Sequence, residues 1–332
     1  MNQGSISRRR ALGLMGALAG GTLAALAPHG ALAQAGGHFP SRPLTLIMPF
    51  PAGGATDAQM RALGLALGKE LGQQVIVVNQ PGLAGTLAPA TMARNAAADG
   101  YTVSIVPATL FRLPHLQKVT FDPTTDFSYV ICLTGYTNGL VVRADAPWKT
   151  LQDLLADAKA RPGRINYAST GIGSGGHIAM ERLARAAGVQ FNFAPYKGMA
   201  EETTALLGGH IDVISDPGWG ALVDGGKARV LATLGSERLQ RRPQVPTLKE
   251  LGYDITVHSP VGVVAPKGLP PEVLKTLHDA FRRAMKDAEY QRILAQYDQF
   301  DMYMSSAEYG KYAVEQVARE KVFVEQLGIK LQ

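Results

Sequence analysis

The chain has 332 residues, 46% of them hydrophobic and 18% charged, with 37 Gly, 20 Pro and a single Cys. That length holds two ordinary domains, each with its own core, and the composition is too apolar and too weakly charged for a disordered chain. One Cys excludes an intramolecular disulfide and any cysteine-cluster metal or iron–sulfur site. The formal charge of +6 falls to +3 (30 basic against 27 acidic residues) once Arg8, Arg9 and Arg10 are set aside, so nucleic acid is not an expected partner.

Ser7-Arg8-Arg9-Arg10 is followed by an apolar run from Ala11 to Ala27, broken at Pro28-His29-Gly30. Ala31-Leu32-Ala33 then supplies the small-x-small pattern of a signal-peptidase site, with cutting expected after Ala33. The start resembles a twin-arginine export signal, with Ala11 where Phe is usual and Gly13 where Lys is common; the general secretory route stays open beside it. No Cys follows the apolar run, which excludes a lipoprotein, and the mature protein is expected to be soluble and periplasmic. Cys132, in the apolar string Tyr129-Val-Ile-Cys-Leu133, reads as a small core residue.

Short β-branched runs then alternate with helical patterns. Leu44–Met48 reads as a strand, Asp57–Leu71 as a helix, Val75–Val78 as a strand, Thr86–Asn95 as a helix and Thr102–Val106 as a strand. Two apolar segments occupy Tyr129–Val142, and the alternation restarts with a helix over 150–160 and a strand at Ile165–Ala168. A helix at His177–Ala187, a strand at Val189–Ala194, a helix at Glu201–Leu207 and a strand at Ile211–Ile214 follow. Val230–Thr233 and Val261–Ala265 are further strands, and helices over 271–286 and 306–326 close the chain. This is the grammar of an α/β protein built on parallel sheets with helices on both faces.

Ligands of such sheets sit beyond the carboxyl ends of the strands, which selects the loops Pro49–Asp57, Asn79–Thr86, Val106–Leu110, Ser169–Gly176, Tyr196–Gly198 and Ser215–Gly218. In the first, Gly53 and Gly54 allow close backbone approach and Thr56 or Asp57 is placed to cap a helix. It reads equally as a carboxylate seat or as a Gly-rich turn with an ordinary cap. Ser169–His177 has the same architecture and contains G-x-G-x-x-G at Gly171, Gly173 and Gly176, but the following strand offers no acid for a ribose, which argues against a dinucleotide fold. Ser174 lacks the glycine two residues before it that a nucleophile elbow needs, since Ile172 stands there. His177 reads as its base or as a polar helix-start residue. His115, His210, His258 and His278 fall at no metal-ligand spacing. Asp216 is a candidate acceptor for a ligand N–H or hydroxyl or a turn cap, Lys197 a partner for a second carboxylate or a solvated surface lysine, and Trp219 a candidate cleft aromatic.

Together the segments resemble the Bug family, periplasmic solute receptors of tripartite tricarboxylate transporters. Phe39–Asp57 is similar to the family's opening signature. Asp99–Thr102, Gly171–Ile178, Pro195–Gly198, Leu206–Asp212, Gly226–Ala232 and Pro246–Tyr253 resemble later blocks in the same order. The resemblance implies a class II periplasmic binding fold: two doubly wound α/β domains around a central cleft, residues 38–138 plus 260–332 forming one and 139–259 the other, with crossings near 135–143 and 253–262. It implies Venus-flytrap closure on a small carboxylate, no catalytic residue, no cofactor and no metal, a monomer, and delivery to membrane transporter subunits. A two-component sensor kinase is the alternative partner. The opening-loop role falls on Phe50, Ala52, Gly53, Gly54, Ala55, Thr56 and Asp57. Thr109 represents the loop after the third strand; Thr170, Gly173, Ser174 and His177 match the second domain's glycine-serine loop, with Lys197 and Asp216 at the next strand ends. Gln80–Thr86, Pro107–Arg112 and the glycines Gly175 and Gly176 depart from the family pattern, and Arg112 adds a cation. These departures leave the ligand open among C4 dicarboxylates, citrate, acidic amino acids and aromatic carboxylates.

Overall fold

The computed structural model describes residues 38–257 and 259–327; the expected leader, its cleavage point and His258 lie outside them. The first half runs β1 (Leu44–Met48), α1 (Ala55–Leu71), β2 (Val75–Asn79), α2 (Leu87–Asn95), β3 (Thr102–Pro107), α3 (Thr109–Leu116) and β4 (Phe127–Tyr136). Next come β5 (Gly139–Arg143), α4 (Leu151–Ala160), β6 (Asn166–Ser169), α5 (Gly175–Ala187) and β7 (Asn192–Pro195). They are followed by α6 (Met199–Leu207), β8 (Val213–Ile214), α7 (Gly220–Asp224) and β9 (Ala228–Thr233). The last part is β10 (Ser259–Pro266), α8 (Pro271–Ala284), α9 (Ala288–Gln296), β11 (Gln299–Met304) and α10 (Ser306–Leu327).

Two sheets organise these elements into two lobes, one six-stranded in the order β11-β4-β10-β3-β1-β2 and one five-stranded in the order β7-β6-β8-β5-β9. The chain leaves the first sheet after Tyr136, enters the second at Gly139, and returns at Ser259. The sheets are mixed rather than all parallel. β1 runs parallel to β2 and β3, whereas β10 is antiparallel to β3 and β4, and β5 to β8 and β9. A strand arriving from the other lobe has no βαβ crossover to impose a parallel direction.

Each sheet is covered on both faces. Met60, Leu63 and Leu67 of α1 pack with Leu277 and Phe281 of α8 on one face of the six-stranded sheet, all fully buried. Phe111 of α3 and Tyr309 of α10 fill the other face. Burial of each such side chain contributes about 1.5–3 kcal/mol. Cys132 lies in this core, as expected, and burial pushes its thiol up to about 12. Around the five-stranded sheet, Leu154, Tyr167 and Leu183 fill one face and Leu206 and Trp219 the other. Trp219 is therefore core and not cleft wall; its Nε1 donates to the Thr137 carbonyl at 3.2 Å.

Local rules account for most boundaries, and tertiary contacts for the differences. Thr150 and Asp153 form a reciprocal capping box at α4, and Gly72 ends α1 in the left-handed region. The strand expected from Val189 begins only at Asn192, because the Val189 N–H closes α5 by bonding to the Ala184 carbonyl. Thr109–Leu116 is helical, Pro114 notwithstanding, so the helix takes up the end of the loop expected at Val106–Leu110. α9 and β11 are unforeseen additions: Asp287 caps α9 by accepting from Glu289 and Tyr290 N–H, and β11 pairs with β4 at the sheet edge.

Candidate functional site

A cleft of about 690 Å³, its open mouth included, lies between the lobes. The first lobe contributes Phe50, Gly54, Ala55, Thr56 and Asp57, with Thr109 at the start of α3. The second contributes Thr170, Ser174, Gly175, Met199 and Asp216, and the crossings add Tyr136, Asn138 and Ser259. Among these described residues there is no Lys, Arg or His. Volume and mixed lining suit a small molecule.

The opening loop is shaped by its own hydrogen bonds. Gly54 is the N-cap residue of α1, in place of the expected Thr56 or Asp57, and no side chain caps the helix. The first amides of α1 are thus left to face the cleft with the positive end of the helix dipole. Gly53 adopts φ +86°, a conformation strained for any side chain, and its N–H donates to Asp57 Oδ2 at 3.0 Å. Arg61 Nε donates to the same oxygen at 3.0 Å, and Asn79 Nδ2 bonds to both Asp57 Oδ1 (2.8 Å) and the Phe50 carbonyl (3.0 Å). Burial pushes the Asp57 carboxyl up, but Arg61, the Gly53 N–H and Asn79 outweigh it, and the net shift is downward. Asp57 therefore ties the loop together. Ala52 and Gly53 are exposed on the outer side of the turn and do not line the cleft.

Asp57→Ala leaves the Gly53 amide without its acceptor, removes one of the two acceptors of Asn79 Nδ2 and is expected to cost about 1–3 kcal/mol in urea unfolding at pH 7. Because the folded carboxyl value is depressed, the difference from wild type persists at neutral pH and shrinks as the pH falls from the ordinary Asp value through the folded one. A difference unchanged down to pH 2.5 would contradict this.

In the second lobe, Ser174 caps α5, its Oγ accepting from the His177 N–H at 3.2 Å and contacting Ser169 Oγ. His177 is buried against Phe193, with ring centroids 4.3 Å apart, and its Nδ1 accepts from the Gly173 N–H at 3.2 Å. Burial lowers its pKa and keeps the imidazole neutral. Ser174 and His177 meet through the helix cap and not as nucleophile and base. Gly173 and His177 stand behind the cleft wall. Gly176 is explained by close packing: a Cβ there would lie 2.5 Å from Asp216 Oδ1 and from the Ser215 carbonyl.

Asp216 borders the cleft but is 1% exposed, and its oxygens are already engaged. Oδ1 accepts from Ser169 Oγ at 2.7 Å and Oδ2 from the Thr170 N–H at 2.6 Å, and the Glu202 carboxyl lies beside it. It moulds the 169–174 loop. Glu202, on α6 and fully buried, has no N–H or hydroxyl donor on either oxygen. Two carboxyl groups in contact without a cation must keep a proton, and Glu202 carries it: burial and then Asp216 push its value far above the ordinary range. Lys197 does not reach the cleft; it lies in a separate depression with Leu83, Ala84 and Ile172. Tyr136, Asn138 and Ser259 escaped residue-level reading, and the predicted crossings were the only signal for them. Asn138 links crossing and lobe, donating to the Ser215 carbonyl (3.1 Å) and accepting from Ser259 Oγ (2.9 Å).

A sequence profile of the tripartite tricarboxylate transporter family receptor matches residues 59–329. A Cupriavidus necator protein, the UPF0065 protein in the gbd 5′ region, is 46% identical over 325 residues, 98% of this chain and 99% of its own. The structure of the periplasmic binding protein BugD is similar with TM-score 0.84 and 28% identity, over 89% of this chain and 100% of its own. An R. palustris protein solved with adipate is similar with TM-score 0.82 and 28% identity, over 88% of this chain and 99% of its own.

Proposed function

The chain belongs to the tripartite tricarboxylate transporter receptor family, and on that premise we propose that it is a periplasmic solute receptor that closes its lobes on a small dicarboxylate. The lobes are residues 38–138 with 260–327, and 139–259. The observation that carries the reading is a cleft without cationic side chains into which the N-termini of α1 and α5 both open, one from each lobe. Backbone amides and the two dipole ends favour anionic groups at both walls. A ligand with a carboxylate at each end then bridges the lobes, and closure follows from its better contacts in the closed state.

Thr56 and Thr109 line the first-lobe seat, Thr170, Ser174 and Gly175 the second, and Tyr136 and Asn138 the floor between them. Adipate, bound by the R. palustris relative, has this two-ended chemistry. The loaded receptor delivers its ligand to membrane subunits of the tripartite type, and the predicted leader supplies export.

A thermal-shift screen of the mature protein, stripped of ligand by unfolding and refolding, tests this. At 100 times its dissociation constant a ligand adds about 2.7 kcal/mol. C4–C6 dicarboxylates are expected to raise Tm, and their monoamides to lose most of that shift. Equal shifts with diamides, or none across the panel with protein free of bound ligand by mass spectrometry, would sink the proposal.

A further inference from the structure

Arg112 adds a cation to the loop after β3, yet it does not line the cleft. It lies in α3, 5% exposed, with its donors divided between the lobes. Nε and Nη2 form a two-pronged pair with Glu320 of α10, at 2.7 and 2.8 Å. Nη1 donates to the carbonyl of Gly173 at 2.9 Å. Arg112 and Glu320 belong to the first lobe, whereas Gly173 belongs to the second-lobe loop that carries Thr170 and Ser174 to the cleft. The Gly173 N–H is itself held by His177 Nδ1, so the residue on which Arg112 pulls is tied to α5. Gln316 Nε2 donates to Glu320 Oε1 at 3.0 Å and steadies the pair. The Phe323 ring lies between Arg112 and Arg182 of α5, whose guanidinium carbons sit 5.9 and 5.3 Å from its centroid.

We propose that Arg112 is a latch for the closed state: a positioning residue, held by Glu320, whose Nη1 captures the Gly173 carbonyl as the lobes close and slows ligand release. The proposal rests on the receptor reading above. Glu320 neutralises the guanidinium whether or not the lobes are together, so opening breaks one charge-assisted hydrogen bond and strands no charge. A bond made only in the closed state shifts the closure equilibrium by its differential strength. Opening must precede release from a bridged cleft, so the effect falls on dissociation.

Arg112→Lys keeps a cation beside Glu320 but lacks the planar fork that serves Glu320 and Gly173 together. Stopped-flow binding of adipate to the mature protein should show dissociation faster by about tenfold, about 1.4 kcal/mol of latch strength, with association within twofold. A merely structural role would lower the folded fraction and leave dissociation unchanged. Wild-type dissociation kinetics in the variant, with adipate still bound, would overturn the latch. If wild type binds no dicarboxylate, the receptor reading fails on its own. The latch is then read from spin labels on one surface position of each lobe. Longer or broader ligand-free distances in the variant support it, and identical distributions refute it.

Discussion

Arg242→Ala is expected to lose about 3–5 kcal/mol of folding stability in urea unfolding at pH 7, the usual effect of removing one partner of a buried ion pair. Arg242 and Asp298 are 7% and 1% exposed, and Nε donates to Oδ2 at 2.6 Å. The same guanidinium bonds to the Gly220 carbonyl (3.2 Å) and to Asp224 (2.8 Å), and lies 5.3 Å from the Trp219 ring centroid. It thereby ties the second lobe to the segment before β11 in the first. Without it, Asp298 keeps only the half-exposed Arg241, 3.5 Å away. Burial already holds the Asp298 carboxyl above its ordinary value despite Arg242, so the variant should be least impaired at acid pH, where Asp298 is neutral. Asp298→Asn in the same chain should recover much of the loss, because the stranded charge is gone. A loss below about 1 kcal/mol would show the pair to be dispensable, and no recovery in the double variant would show that the loss does not come from the stranded charge.

Glu202→Gln is expected to stabilise the protein, and increasingly so as the pH rises. In the folded state Glu202 is buried beside Asp216 and keeps its proton; unfolded, it releases that proton above the ordinary Glu value. A raised folded pKa means stability fully present below the unfolded value and lost progressively toward the folded one. The loss is about 1.4 kcal/mol per pH unit for one proton. Gln has nearly the same shape, offers Asp216 a permanent N–H donor and does not titrate. Denaturation midpoints from pH 5 to 8 should therefore diverge, with the variant's lead widening as the pH rises. Parallel curves would mean that Glu202 is ionised in the folded protein and that the shared proton does not exist.

Both effects arise between groups far apart in the chain, and such groups separate what was legible from what was not. The Gly-rich turn after β1, the Gly-Ser loop before α5 and the alternation of elements follow from local rules: residue period, glycine where φ is positive, and a Ser at the helix start. Those rules led to the loops that carry Thr56 and Ser174, and the family resemblance added Phe50, Thr109 and Thr170; all five line the cleft. The rules did not reveal which side chains are engaged elsewhere. Lys197 suits a carboxylate by charge but lies in another depression. Asp57 and Asp216 border the cleft, yet their oxygens already accept from Gly53, Arg61 and Asn79 and from Ser169 and Thr170. Arg112 reads as a free cation until Glu320, 208 residues away, takes two of its donors.

By itself the sequence determined the α/β class, most elements, the strand-end loops that surround the cleft and the family they resemble. Each of these is written in patterns a few residues long. Only the tertiary structure decided the mixed strand directions, the crossing residues Tyr136, Asn138 and Ser259, and which polar groups remain available once the others are paired. Hydrogen bonds saturate, and the partner that saturates a given oxygen or guanidinium is chosen by packing across the whole chain.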